Sequence, residues 1–256
     1  MTVRDMLAKA RVIPVMTVSN VAQGVELARA LVAGGLSMLE VTLRTKEALA
    51  AVEAIAKALP SATVGVGTLT KPEEFKSSRD AGAVFAVSPG LTARLAEAGK
   101  GSGLAYLPSA ITPSEVMAAR EWGYTTLKFF PCKAAGGIGA LKNFEPVFPD
   151  VAFCPTGGLG MDDFREFLAL GNVVAAGGTW MMPAPLVAIA ETNPRSIRST
   201  ITGDKPVFST CAPRPQMMAR SPCRAASSAC TTAVKSADAS SDGSVFNRPP
   251  TPLPFW

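Results

Sequence analysis

One lysine stands inside a short apolar run that is typical of a buried β-strand. Lys128 lies in residues 126–131, where its neighbours are a leucine and two phenylalanines. An ammonium group is costly to bury, so a lysine in such surroundings tends to lose its proton and attack carbonyl carbons. The run therefore predicts covalent carbonyl chemistry of the Schiff-base type. The alternative is a lysine at a strand end, whose stem packs on its neighbours while the ammonium reaches water.

A second polar set lies on one face of another predicted strand, residues 38–44. Glu40, Thr42 and Arg44 alternate there with apolar residues. Successive side chains of a strand point to opposite faces, and catalytic groups of a barrel lie toward the carboxyl ends of its strands. We therefore expect Glu40 and Arg44 to face the same interior as Lys128. The alternative is that Glu40 and Arg44 form a purely structural ion pair.

Composition removes several other chemistries. The chain of 256 residues has no histidine, which excludes Ser-His and Cys-His nucleophile pairs and His-ligated metal sites. Its five cysteines show neither a CxxC pair nor metal-ligand spacing, and we expect Cys132 and Cys154 to be small buried apolar groups. The start does not resemble a secretory signal and no apolar run approaches about 18 residues. These features predict a cytoplasmic protein without a membrane span.

Charge is distributed unevenly along the chain. The formal net charge is +5, but residues 1–190 hold 17 Lys or Arg against 16 Asp or Glu, and residues 191–256 hold 8 against 4. The body is therefore nearly neutral. Because it lacks a basic stripe with interleaved aromatic residues, we do not expect nucleic-acid binding.

Eight short apolar runs alternate with amphipathic stretches along the body. This alternation predicts a closed parallel (β/α)₈ barrel, known as a TIM barrel, over residues 1–190. The runner-up is a doubly wound open sheet, which would need a glycine loop after the first strand, and residues 12–20 contain no glycine. The predicted strands are residues 12–18, 38–44, 62–68, 84–89, 104–109, 126–131, 152–157 and 173–180.

Several helix starts carry sequence signals. Asn20 is placed to cap a helix that runs to Ala33, where apolar residues recur at helical spacing. Two later helices are predicted to open with proline at the first helical position, Pro113 after a capping Thr112 and Pro72 after Lys71.

The last 66 residues differ in character from the body. Residues 191–256 contain a single leucine, nine of the 21 prolines and no sustained periodicity. Such a segment buries little apolar surface, so we expect a disordered, low-complexity tail. The pattern of an eighth barrel helix begins near residue 181 and stops at Pro194, so that helix is predicted to be replaced or missing. One explanation is a coding frame that is shifted over the tail.

Glycines and hydroxyl groups stand at the ends of three predicted strands. The segment Gly65-Val66-Gly67-Thr68 would let a ligand approach the backbone closely. Two glycine pairs, Gly157-Gly158 and Gly177-Gly178, follow the seventh strand and end the eighth, where barrels commonly bind phosphate through backbone N–H groups. Taken singly, each of these segments is equally explained as a tight turn.

At these positions the chain resembles the family of 2-keto-3-deoxy-6-phosphogluconate (KDPG) aldolases, also described as 4-hydroxy-2-oxoglutarate (KHG) aldolases. The resemblance covers roughly residues 8–186. It rests on six motifs in order, which are Leu39-Glu40-Val41-Thr42-Leu43-Arg44-Thr45, Gly65-Val66-Gly67-Thr68, Val87-Ser88-Pro89-Gly90, Lys128-Phe129-Phe130-Pro131, Pro155-Thr156-Gly157-Gly158 and Gly177-Gly178-Thr179-Trp180.

The resemblance implies a class I aldolase, an aldehyde-lyase on a (β/α)₈ barrel that needs no metal or other cofactor. It also implies a homotrimer that acts on a small phosphorylated keto acid in the Entner–Doudoroff pathway or in 2-oxoglutarate-related metabolism. The expected products are pyruvate and glyceraldehyde 3-phosphate from KDPG, or pyruvate and glyoxylate from 4-hydroxy-2-oxoglutarate. The related sugar acid derived from galactonate is an alternative substrate.

The resemblance also implies a role for each matching residue. Lys128 would form the Schiff base and Glu40 would act as general acid and base. The carboxylate of pyruvate would be held by Arg44 and Thr68, with Pro89 and Thr156 lining that end and Phe130 packing beside the imine. The substrate phosphate would be held by Gly157, Gly158, Gly178 and Thr179.

The chain departs from the family pattern at three positions near these motifs. Val66 replaces a usual alanine and, by strand alternation, would share a face with Thr68 and crowd the carboxylate pocket. Ser109 replaces a usual glycine, and Lys133 replaces a usual glutamate just after the predicted strand that contains Lys128. Two further hypotheses remain at this point, an isomerase or epimerase barrel in which Lys128 supplies only charge, and an aldolase-like protein impaired by its altered end.

Overall fold

The computed structural model describes residues 1–183 and Val187, and within them eight strands alternate with eight helices. The tail predicted for residues 191–256 lies outside the described residues. So does most of residues 181–194, where the helix that follows the eighth strand is predicted to be replaced or missing. No helix in the described part is both long and apolar enough to cross a membrane.

The eight strands lie at the positions that the apolar runs predict, which confirms that prediction, although each strand is shorter than its run. They are β1 (Val12–Met16), β2 (Met38–Thr42), β3 (Thr63–Gly67), β4 (Phe85–Val87), β5 (Ala105–Leu107), β6 (Thr126–Phe129), β7 (Ala152–Pro155) and β8 (Ala176–Gly178). The helices are α1 (Val3–Ala10), α2 (Val21–Ala33), α3 (Ala48–Ala58), α4 (Glu73–Asp80), α5 (Ala93–Gly101), α6 (Pro113–Glu121), α7 (Gly137–Phe144) and α8 (Phe164–Leu168).

All the strand pairs are parallel, and the sheet curls. Six strands form one sheet in the order β5-β4-β3-β2-β1-β8, and β6 pairs with β7. Isolated bridges between Ser109 and Lys128 and between Thr156 and Gly177 join the two sheets at both edges. Neighbours follow chain order and β8 lies beside β1, which contradicts the doubly wound alternative because its strand order reverses at a switch point.

Helix starts agree with the sequence signals in two of three cases. Asn20 accepts a hydrogen bond from the backbone N–H of Gln23 (2.9 Å) and caps α2 as predicted. Thr112 caps α6, and Pro113 is its first residue. The third prediction is wrong, because α4 begins at Glu73 with Pro72 just before it and without a side-chain cap.

The turn before α4 is held in a different way. The Glu74 carboxylate accepts hydrogen bonds from the backbone N–H groups of Thr70 (2.7 Å) and Lys71 (3.0 Å). A glutamate in the first turn of α4 therefore reaches back to bind two N–H groups of the turn that precedes the helix, as the glutamate of a capping box does.

The two faces of the strands bury different sets of side chains. Outward-facing residues such as Leu39 and Val41 of β2 pack with α2 and α3 in the largest apolar cluster. A smaller cluster combines residues of several strands with Leu7 of α1, which is 1% exposed. Its members are Leu7, Ile13, Met38, Phe85, Val87, Leu107, Cys154 and Ala175. Because Met38 precedes Glu40 on the same face of β2, this cluster forms an apolar layer on the amino-terminal side of Glu40.

The start of α6 offers a direct test of how the helices are anchored. Thr112 accepts a hydrogen bond from the N–H of Glu115, whose carboxylate accepts one from the N–H of Thr112. We expect Thr112→Ala to lower the free energy of unfolding by about 1 kcal/mol, because both bonds of this capping box depend on the pair. Urea denaturation measures the change, with Thr112→Ser as the control that keeps the hydroxyl. Equal stability of the alanine variant and the parent chain would contradict the prediction.

Candidate active site

The centre of the site is a hydrogen bond between two buried ionisable side chains. The Lys128 Nζ on β6 donates to the Glu40 Oε1 on β2 over 3.0 Å, across the interior of the curled sheet. Lys128 is 6% exposed and Glu40 is 4% exposed. The lysine therefore does not reach bulk water as the strand-end alternative requires. Glu40 pairs with Lys128 and not with Arg44, so the structural ion pair considered for Glu40 and Arg44 does not form.

This pair opens into a cavity of about 170 Å³ at the carboxyl ends of the strands. Seven residues that the family resemblance selects line it, together with two others. The nine are Val15, Glu40, Thr42, Arg44, Thr68, Pro89, Lys128, Phe130 and Thr156. The strands β1, β2, β3, β4, β6 and β7 therefore each contribute to one site, through a residue of the strand or of the turn that follows it.

The cavity wall changes character from its base to its mouth. Arg44 is exposed and makes no ion pair with any described residue, so its guanidinium can take an incoming anion. Phe130 is partly buried, and its ring centroid lies 5.4 Å from the Lys128 Nζ. A buried amine and carboxylate at the base and a cation at the mouth suit a small ligand that carries both a carbonyl and a carboxylate group.

Gly67 provides the space that Glu40 occupies. A Cβ atom at Gly67 would overlap the Glu40 Oε1 and would lie 2.7 Å from the Glu40 Cδ. Gly65 stands in the same relation to the ring of Phe85. Sequence reasoning predicted that these glycines let a ligand approach the backbone. In the structure the space beside them is taken by side chains, one of which belongs to the central pair.

Two residues of the cavity wall, Thr42 and Val15, were not among the predicted site residues. The Thr42 hydroxyl donates to the carbonyl oxygen of Met16 (3.1 Å) and lies 2.9 Å from the hydroxyl of Thr17. Val15 is in register with Glu40 on the neighbouring strand. Strand alternation already indicates that Thr42 shares a face with Glu40. No polar group marks Val15, so only the pairing of β1 with β2 identifies it.

The end of β3 departs from simple strand alternation. Thr68 has a φ of 62°, a left-handed conformation that is unusual for a β-branched residue. Val66 is fully buried in the outer apolar cluster with Leu39 and Val41. The expectation that Val66 crowds the pocket beside Thr68 is therefore wrong, because the backbone turns at Thr68 and the two side chains do not share a face.

The predicted phosphate-binding residues lie beside this cavity and do not line it. Gly157 and Gly158 have left-handed φ angles of 102° and 84°, which side-chain-bearing residues rarely adopt. A Cβ at Gly157 would lie 3.2 Å from the Phe130 ring, so this turn adjoins the cavity wall. The bridge between Thr156 and Gly177 brings the ends of β7 and β8 together, and Gly178 and Thr179 follow directly.

The two cysteines of the described part are buried, free thiols, as the sequence predicts. Burial raises the pKa of Cys132 to about 12 and that of Cys154 to about 12. Both thiols are therefore protonated near neutral pH and are poor nucleophiles. In the described part of the chain, no group of three or more His, Cys, Asp and Glu side chains is arranged to hold a metal ion.

A buried lysine that pairs with a glutamate inside a curled parallel α/β sheet is the kind of arrangement that suits carbonyl-active lysines. Comparison with known proteins narrows this class. The family model described as KDPG and KHG aldolase matches residues 3–196. The 2-dehydro-3-deoxy-phosphogluconate aldolase of Pseudoalteromonas atlantica is 45% identical over 180 residues, 70% of this chain and 84% of that protein. The KHG/KDPG aldolase of Escherichia coli K12 is 43% identical over the same shares.

A solved structure agrees with these relatives. The KDPG aldolase of Legionella pneumophila, crystallised with pyruvate captured at low pH as a covalent carbinolamine intermediate, superposes with a TM-score of 0.72. It is 40% identical, and the match covers 77% of this chain and 94% of that one. The chain belongs to the KDPG and KHG aldolase family. This membership contradicts the isomerase or epimerase hypothesis.

Gly67 gives a stability test of the central pair. We expect Gly67→Ala to lower the free energy of unfolding by about 3 kcal/mol or more, since the new methyl group must displace Glu40 and break its buried bond to Lys128. Gly139→Ala in α7 is the control, because a Cβ there meets nothing within 4 Å and alanine suits a helix. Urea denaturation compares the two variants. Similar small effects at both positions would show that Gly67 does not accommodate Glu40.

Proposed function

We propose that this chain is a class I aldolase that cleaves 2-keto-3-deoxy-6-phosphogluconate to pyruvate and glyceraldehyde 3-phosphate. The observation that carries the proposal is the 3.0 Å hydrogen bond between Lys128 and Glu40 in a cavity whose mouth holds Arg44, which makes no ion pair within the described residues. Membership of the KDPG and KHG aldolase family supports the same conclusion.

Lys128 acts as the nucleophile. Its amine attacks the C2 ketone of the substrate, and the resulting carbinolamine loses water to form an iminium ion. The amine needs a free electron pair for this attack, and Glu40 is within hydrogen-bond distance to take the proton. The iminium then draws electrons from the neighbouring C3–C4 bond, so the positive charge on the Lys128 nitrogen is the electron sink of the reaction.

Glu40 moves the protons. Directly or through a water molecule, its carboxylate removes the proton of the C4 hydroxyl, the C3–C4 bond breaks, and glyceraldehyde 3-phosphate leaves. The electron pair of that bond forms an enamine on the lysine. Protonation at C3 regenerates the iminium, and its hydrolysis releases pyruvate and restores the amine. The apolar cluster on the amino-terminal side of Glu40 supports this role, because a carboxylate shielded from bulk water exchanges protons with the substrate in place of solvent.

The pyruvate half of the substrate lies in the cavity. Arg44 binds its carboxylate through two parallel hydrogen bonds and thereby orients the ketone toward Lys128. Thr68 adds a hydroxyl to that carboxylate, and Phe130 packs beside the imine. Pro89 and Thr156 complete the wall. All of these residues line the same cavity of about 170 Å³, which supports their assignment to one small ligand fragment.

The phosphate half lies against the ends of β7 and β8. Backbone N–H groups in turns of this kind bind phosphate oxygens, and the four residues proposed for it are Gly157, Gly158, Gly178 and Thr179. The short distance from Gly157 to the Phe130 ring supports this assignment, because it puts the phosphate turn next to the imine end of the cavity.

The range of substrates depends on whether the site recognises the pyruvate half or the phosphate half of the substrate more strictly. The E. coli relative carries the name KHG/KDPG aldolase, which supports activity on 4-hydroxy-2-oxoglutarate, with pyruvate and glyoxylate as products. The phosphorylated sugar acid derived from galactonate is the second alternative. Release of pyruvate from each of these keto acids, followed by coupling to lactate dehydrogenase, determines which one is preferred.

The finer architecture and setting are proposals that rest on the family. We infer a (β/α)₈ barrel over residues 1–190, supported by the pairing of β8 with β1 and by the bridges at both sheet edges. A homotrimer, a cytoplasmic location and a role in the Entner–Doudoroff pathway follow from the resemblance. The alternative of an impaired aldolase concerns residues 191–256, which lie outside the described residues.

Covalent trapping tests the role of Lys128. Borohydride reduces an imine to a stable secondary amine, so treatment of the folded protein with pyruvate and borohydride should add one reduced pyruvate unit to the peptide that contains Lys128. Peptide mass spectrometry locates the adduct. The Lys128→Met variant is the control and should gain no mass. An adduct at a different lysine, or none on the parent protein, would refute the assignment.

Replacement of the carboxylate tests the role of Glu40. Glu40→Gln keeps the size and a hydrogen-bonding oxygen near Lys128 but removes the base, so we expect kcat for KDPG cleavage to fall about 10²- to 10⁴-fold. The coupled pyruvate assay measures the rate. Glu97→Gln on the exposed face of α5 is the control with the same chemical change. An unchanged kcat in Glu40→Gln would exclude Glu40 as the proton-transfer group.

A further inference from the structure

Lys133 is a cation in the turn that follows β6, the strand that contains Lys128. Its Nζ lies 2.5 Å from the Oδ2 of Asp163, just before α8. The other oxygen of Asp163 accepts a hydrogen bond from the backbone N–H of Gly160 (2.8 Å), so the carboxylate is fixed by its own loop. The side chain of Lys133 is 52% exposed and that of Asp163 is 24% exposed. The pair therefore lies at the surface, in contact with water.

The stem of Lys133 crosses directly over Gly158. A Cβ at Gly158 would lie 3.0 Å from the Lys133 Cδ and 3.1 Å from its Cβ and Cγ. The two turns also run side by side, because the backbone N–H of Cys132 donates to the carbonyl oxygen of Thr156 (2.8 Å) and that of Lys133 donates to that of Gly157 (3.2 Å). An anion bound to the backbone at Gly157 and Gly158 is therefore within reach of the Lys133 ammonium.

We propose that Lys133 determines specificity for phosphorylated keto acids. When the substrate binds, the Lys133 ammonium moves from Asp163 to the phosphate group, where it adds a charge-assisted hydrogen bond to the backbone contacts. This inference rests on the proposed function and deepens it, because it names the residue that distinguishes a phosphorylated sugar acid from the same acid without phosphate.

The energetic balance favours such a transfer. A half-exposed lysine–carboxylate pair contributes little to stability, because water already solvates both charges. A phosphate group carries up to two negative charges and three acceptor oxygens, so it attracts the ammonium more strongly than one carboxylate does. In the absence of substrate, Asp163 keeps the long lysine side chain close to Gly158, which reduces the rotamer entropy lost on binding.

The test compares two substrates that differ only in the phosphate group, KDPG and unphosphorylated 2-keto-3-deoxygluconate. We expect Lys133→Gln to lower kcat/KM for KDPG about tenfold, as loss of one charge-assisted hydrogen bond does, mainly through a higher KM. The kcat/KM for the unphosphorylated acid should change less than twofold. Lys133→Arg should keep most of the preference for KDPG. Lys142→Gln on α7 is the control that removes an exposed lysine elsewhere.

Each other outcome has a definite meaning. An equal fall for both substrates would make Lys133 a merely structural residue and overturn the inference, as would an unchanged kcat/KM for KDPG. Trapping of pyruvate on Lys128 by borohydride shows that each variant is folded at its catalytic end. If Lys133→Gln fails to trap pyruvate, Asp163→Asn replaces it in the test, since it frees Lys133 without removing the charge and should retain the preference for KDPG. A fall in that preference overturns the inference. If the parent chain itself traps no pyruvate, the proposed function fails, and the inference fails with it.

Discussion

The buried hydrogen bond between Lys128 and Glu40 is the interaction on which the rest of the site depends. Each group would be costly to bury alone, and each compensates the other across the interior of the sheet. The same hydrogen bond holds the proposed nucleophile in contact with its proposed base, as carbonyl attack requires. Gly67 makes room for this pair, and an apolar cluster shields it from water on one side.

Several features of the fold serve these two needs. Gly67 leaves the space into which the Glu40 carboxylate fits, and the interior apolar cluster closes the amino-terminal side of Glu40 with Met38 and Leu7 among its members. The hydroxyl pair of Thr17 and Thr42 ties β1 to β2 beside the cavity. Arg44 and Lys133, the two cations that we propose bind the anionic groups of the substrate, are in contrast exposed. The groups proposed to react are thus buried, and the groups proposed to recognise the substrate are in contact with water.

Much of the site could be predicted from sequence because it depends on strand alternation. The period of two on β2 brings Glu40, Thr42 and Arg44 to one face, and the apolar run around Lys128 marks it as buried. What alternation does not reveal is contact between strands. The space that Gly67 leaves for Glu40 depends on the pairing of β3 with β2. The left-handed φ of Thr68 breaks the strand alternation, so Thr68 lines the cavity while Val66 stays in the outer apolar cluster. The ion pair of Lys133 with Asp163 joins turns 30 residues apart, and no spacing rule predicts it.

The central claim is that Lys128 and Glu40 together activate a keto acid through an imine. Proton NMR of pyruvate in D₂O tests it directly, because an enamine formed on Lys128 must exchange the methyl protons of pyruvate for deuterium. We predict that the parent chain catalyses this exchange, that Lys128→Met abolishes it and that Glu40→Gln slows it strongly. Exchange that persists in the Lys128→Met variant, or a parent chain that catalyses none, would contradict the account.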